Sequence, residues 1–148
     1  MGADDPARTR RRVEHEVARL AGLVGLPQER WPGFVDRDAG YPFLRIGDAG
    51  EYRYLAYERG RLLFEQVTSD LDELLYWAFR DAAHEAAGRW ASRNRLDGEP
   101  FRVTLWRRQF ELLHTLRPAW AGRRRAELIA SLPDRDEGIV PPLPGADC

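Results

Sequence analysis

The chain is predicted to be an α+β protein: an N-terminal helix, a three-stranded antiparallel meander, then three helices packed on it. Three observations carry this expectation. Apolar residues recur at helical spacing over residues 13–24. They then alternate with a period of two over residues 52–57, next to a tight-turn dipeptide. A helical period returns at residue 69 and holds almost to residue 132. That order, helix, strands, helices, is the α+β pattern. With 148 residues, 43% of them hydrophobic, the chain has material for one core, and residues 1–133 are expected to form a single domain.

Each element has its own local reason. Val13, Val17, Leu20, Ala21 and Val24 line one side of the first helix, with Arg and Glu residues elsewhere on the cylinder. Asp5–Pro6 suits its start and Gly25–Pro27 its end. From Gln28 to about Tyr41 the Pro, Gly and Asp content reads as a loop. The stretches FLRIG, EYRYLAYE and RLLFEQVT then read as three strands, with Arg59–Gly60 as the hairpin turn of the last two. In the helix from residue 69, Leu71, Leu74, Leu75, Ala78, Ala82 and Ala86 form one stripe. RLDGEP at 95–100 is a turn, a helix from about Pro100 to Leu116 follows, and a shorter one runs from Pro118 to Leu132. Beyond Pro133, residues 134–148 are expected to be an extended or mobile tail.

Composition narrows the function classes. No apolar run approaches the 18 or so residues of a membrane span, and the charged N-terminus has no apolar signal core. The one cysteine, Cys148, cannot form an internal disulfide, which fits a reducing cytoplasm. All 23 basic residues are Arg, and the net charge of −1 supplies no overall pull toward nucleic acid or anionic lipid. The charge is segregated, however. Residues 69–87 hold five acids against Arg80, and residues 102–125 hold seven Arg against Glu111. The plain expectation is that these two segments face each other.

The stretch TSDLDELLYW, Thr68–Trp77, resembles an acidic metal site, but a Ser69 or Asp70 cap followed by acids is what a helix N-terminus requires. The regular acid spacing and the glycine of a calcium loop are missing. Asp81, His84 and Glu85 converge on one side of a helix at i, i+3 and i+4, so Asp81 could share an ion with either neighbour. No second motif adds ligands, because His15 and His114 stand alone on other helices, and a metal-dependent hydrolase is the less favoured alternative. There is no G-x-S-x-G, no Cys–His pair and no Gly-rich phosphate loop, so no catalytic residue, metal or cofactor is assigned. RRR at 10–12 and 123–125 invites a second alternative, a small regulatory or nucleic-acid-binding protein using its Arg-rich helices. No nucleic-acid-binding fold signature accompanies either run, and solvated helix faces are the expectation.

On a helical wheel of residues 101–116, Phe101, Leu105, Leu112, Leu113 and Leu116 mark the apolar arc, yet Arg102 and Gln109 fall inside it. A buried guanidinium needs a carboxylate. The expectation is a structural polar network in which Arg102 meets Asp81, Glu85 or Glu58, with Gln109 nearby.

Five pieces then resemble one family: ERG at 58–60, TSDLDELLYW at 68–77, NRLDGEPFR at 94–102, Gln109 with Leu112–Leu113, and Trp120. In this order they are similar to the bacterial immunity protein 63 family, over roughly residues 50–125. The chain departs from the pattern at Pro100, where an acid is usual, at Val103, where a second Arg is common, and at Trp106, where Phe is usual. The resemblance implies a cytoplasmic immunity protein of a polymorphic-toxin system. Such a protein binds its cognate toxin domain and neutralises it by occlusion, without catalysis. Glu73, Trp77, Arg80 and His84, opposite the Leu/Ala stripe, are the candidate partner-binding residues. Were the toxin a nuclease, the acidic 69–87 segment would be the phosphate mimic. Neither a membrane nor nucleic acid is expected as a partner.

Overall fold

The computed structural model describes residues 5–145; Cys148 lies outside them. The predicted element order is found: one helix, three antiparallel strands, three helices. The chain divides into two compact units, the first ending at Phe79 and the second starting at Arg80.

The first unit opens with α1 (Pro6–Leu23), capped by Asp5, whose carboxylate accepts from the Ala7 backbone N–H, with Pro6 in the first turn. Thr9, Val13, Val17, Leu20 and Ala21 form its buried side. Gly25 takes a φ of +67° and Leu26 N–H bonds back to Ala21 C=O at 3.1 Å, which ends the helix. Strands β1 (Phe43–Ile46), β2 (Tyr52–Glu58) and β3 (Arg61–Thr68) pair antiparallel in the order β1-β2-β3.

Two details depart from simple alternation. Tyr54, Leu55 and Ala56 are all buried, so the middle of β2 is covered on both faces rather than one. On β3, a bulge opposite Ala56/Tyr57 leaves Leu62 and Leu63 exposed. Arg59 and Gly60 make the hairpin turn, both at positive φ (52° and 75°), as a two-residue primed turn requires. That turn is held from outside: Gly60 N–H donates to the Asp38 carboxylate at 2.7 Å, and Arg59 N–H donates to Asp38 C=O at 3.2 Å. On the strands, Arg53 bridges Glu51 (2.7 Å) and Glu65 (3.1 Å), and this bonding holds the Glu51 carboxyl below its ordinary pKa.

Helix α2 (Leu71–Arg93) begins in the first unit and continues into the second. Asp70 caps it, accepting from Asp72 N–H at 3.0 Å, while Asp70 N–H donates to the Thr68 hydroxyl at 3.0 Å. Ser69 stands exposed one residue before the cap. Every residue from Leu74 to Phe79 is buried, so this stretch of the helix has no exposed face. Further on, the buried positions are Ala83, Ala87 and Ala91, one residue out of phase with the expected Ala82 and Ala86. Apolar residues all round residues 74–79 leave the sequence without a phase to extend, so the expected stripe runs one residue early.

In the second unit, α3 (Phe101–Leu116) and α4 (Pro118–Ser131) follow the end of α2. Ala87, Ala91, Leu105, Trp106, Phe110, Leu128 and Val140 form one buried cluster. Val140 belongs to the segment expected to be an extended or mobile tail. Instead, residues Asp134–Ile139 form a 3-10 helix. Ile139 and Leu143 pack against the cluster, and the Arg125 guanidinium donates to Pro141 C=O at 2.9 Å. Three aliphatic side chains between prolines outweigh the disorder that the Pro and Asp content suggests.

Candidate protein-binding surface

The polar residues singled out in the sequence separate into three fates. Gln109 is the buried one, at 0% exposure. Its Nε2 donates to the Arg80 backbone C=O at 3.0 Å, tying α3 to α2, and its Oε1 accepts from Arg124 Nε at 3.5 Å. Around it runs a half-buried chain of charges. Arg80 lies 3.3 Å from Asp81 and 3.9 Å from Glu127, and Glu127 also takes Arg123 (3.4 Å) and Arg124 (3.6 Å). The two oppositely charged segments touch through the Gln109 bond to Arg80, but the ion pair here is not between them: Arg80, the lone base of the acidic segment, reaches Glu127 of α4, beyond the basic run.

His84 and Glu85 lie on the exposed side of α2. Partial burial of the His84 ring holds its pKa below the ordinary imidazole value; the Arg124 charge adds to this, and Asp81 and Glu85 oppose it. The ring therefore favours its neutral form more than a free imidazole does, on the exposed side of the helix. Among the described residues, no three His, Cys, Asp or Glu side chains come together in a way that could hold a metal ion.

Arg102 is the correction. It is exposed, not buried against a carboxylate, and its guanidinium lies 5.5 Å from the Trp106 ring centroid. In the first turn of α3 the end of the helix is open, so a long side chain reaches water without leaving the apolar arc. Glu58, its other expected partner, is exposed at the end of β2, bridged to Ala39.

The expected partner-binding set does not form one free patch. Trp77 is 7% exposed and cannot serve as an aromatic anchor; Glu73 and Arg80 are half-buried; His84 alone of the four is exposed. Trp77 sits in the run of six buried residues that leaves α2 no outer face there.

Reasoning from sequence missed the brace of the α2–α3 connection. The Glu99 carboxylate pairs with Arg107 and accepts from the Thr104 hydroxyl at 3.1 Å, and the Arg107 bond holds the Glu99 pKa below its ordinary value. Acid and base eight residues apart across a turn carry no periodic signal.

A family model described as immunity protein 63 matches residues 48–130, more than half of the chain. The chain belongs to the immunity protein 63 family. No curated protein and no solved structure matches it. In this immunity protein, the residues that carried the resemblance are largely occupied by the fold itself. Asp70 caps α2, Trp77 is buried, Gln109 ties two helices, and Glu99 braces a turn. No helix among the described residues is long and apolar enough to cross a membrane.

Proposed function

We propose that this immunity protein acts in the cytoplasm of the cell that makes it. There it binds the toxic domain of a bacterial polymorphic toxin and covers the surface that the toxin needs for its activity. The observation that carries the reading is the family match over residues 48–130. Occlusion requires a partner whose shape exists before binding, because every side chain ordered at the moment of association subtracts from affinity. The side-chain caps of α1 and α2 and the pinned hairpin in the first unit, and the braced α2–α3 turn in the second, support preformed surfaces of that kind within each unit. No turnover is involved: Asp70 caps α2, Asp72 and Glu73 stand in its first turn, and Asp81 pairs with Arg80.

The test is co-expression. The C-terminal toxin domain encoded beside this gene arrests growth when expressed alone, and growth is restored when this chain is co-expressed. Asp81→Ala and His84→Ala variants keep the protection, whereas a metal-dependent hydrolase would lose it. Failure of the wild-type chain to restore growth, with both proteins soluble and present, refutes the reading.

A further inference from the structure

The second unit has an end at which positive charge is left open. Residues 89–108 contain six Arg and two acids, a net of +4, while the whole chain carries −1, so the remaining residues carry −5. Two of the six are neutralised: Arg107 by Glu99, and Arg108 by Glu111 at 3.0 Å. Arg93, Arg95 and Arg102 are exposed and make no ion pair among the described residues. They stand at the last residue of α2, in the connection, and in the first turn of α3.

Two of these guanidiniums lie over aromatic rings: Arg95 is 5.3 Å from the Phe101 centroid and Arg102 is 5.5 Å from that of Trp106. A ring satisfies the face of a guanidinium and holds it in place, leaving the N–H edge free for a planar acceptor. Between them Leu96 is 54% exposed at the tip of a tight turn, where Gly98 takes a φ of +80° and Glu99 N–H bonds back to Leu96 C=O at 3.2 Å. The Glu99 brace to Arg107 and Thr104 fixes the base of the same turn. Arg is among the residues that anchor protein interfaces, and guanidiniums already held over rings lose less freedom on docking.

We infer that the α2–α3 turn, with Arg93, Arg95, Leu96 and Arg102, is the surface that docks on the toxin, and that the toxin meets it with a carboxylate-rich patch. The inference rests on the immunity reading and deepens it. Charge and the apolar tip favour an acidic protein over a nucleic acid. Three open guanidiniums against one exposed acid, Asp97, with Leu96 among them, suit a compact acidic patch that also offers apolar contact, whereas a long polyanion is held by a longer track of Arg.

The experiment measures binding of the full chain to the catalytically disabled toxin domain of the neighbouring gene, at low and moderate salt, and to a 20-base-pair DNA duplex. R93E/R95E/R102E is expected to weaken toxin binding by about a hundredfold or more, and wild-type association to slow steeply with salt. Leu96→Asp, a single change at the exposed tip that sets a carboxylate against the toxin's acidic patch, is expected to weaken it by about tenfold and covers the case in which the triple variant misfolds. Wild-type binding that both folded variants retain in full overturns the surface and leaves the immunity reading standing. Wild-type failure to bind the toxin overturns both. Submicromolar duplex binding that the triple variant loses, with toxin binding unchanged, overturns the inference in favour of nucleic acid.

Discussion

Replacing Gln109 isolates the value of the one buried amide in the second unit. Gln109→Leu keeps the side-chain volume and removes the 3.0 Å bond to Arg80 C=O together with the 3.5 Å bond from Arg124. The first is a well-formed neutral bond, with a net value of about 1 kcal/mol. The second is at the limit of hydrogen-bond distance and contributes little. Arg124 retains Glu127 at 3.6 Å, so no charge is orphaned. The expected cost is therefore about 1–2 kcal/mol, a fall in Tm of about 3–6 °C for a chain of this size. Gln109→Ala removes the same bonds and leaves a cavity in a site with no solvent exposure, raising the cost to about 2–4 kcal/mol. Urea titration separates the two, since both should lower the midpoint without changing the slope. A Gln109→Leu variant as stable as wild type would show that the amide does not hold α3 to α2.

Three further outcomes follow from the geometry. The folded-state pKa of His84 lies below the 6.5 of a free imidazole, so its contribution to stability is complete above about pH 6.5 and is lost as pH falls through the folded value. His84→Gln should flatten the dependence of Tm on pH between 7 and 5, and an unchanged slope would assign it to other groups. Val140→Ala should cost about 1–2 kcal/mol by chemical denaturation, because Val140 is 4% exposed within the cluster of the second unit; no loss would mean the C-terminal segment is not docked in solution. Arg59→Gly relieves a side chain held at φ +52° and should raise stability by up to about 1 kcal/mol, whereas a lower Tm would reveal a bond made by the Arg59 side chain itself.

What the sequence disclosed depended on whether a local rule acted alone. Asp5–Pro6, Asp70 and Arg59–Gly60 are short-range signals, and each does in space what its chemistry suggests. Gln109 was also legible, since a polar residue inside an apolar arc must be bonded if it is buried. Trp77 could be read as packed from its motif-dense segment but not from the helical wheel, because six consecutive large or apolar residues remove the contrast on which a wheel relies. Arg102 lay inside the arc in projection, and a projection does not record that the first turn of a helix is open at its end. Val140 was hidden by its prolines. The Glu99–Arg107 brace joins residues that no repeat relates. The open guanidiniums of the α2–α3 turn became visible only when their neighbours were seen to be paired and they were not.

The clasp on the β2–β3 hairpin bears on the order in which the chain organises itself. A tight turn with Arg in its first left-handed position closes less readily by itself than one built on Asn or Gly. Here its two backbone N–H groups are gripped by Asp38, 22 residues earlier than Gly60, so the turn is secured only after an intervening loop has been brought home. The closed turn and the docked loop are thus coupled, and amides near Arg59 and Gly60 should be protected together with those of the 36–41 loop.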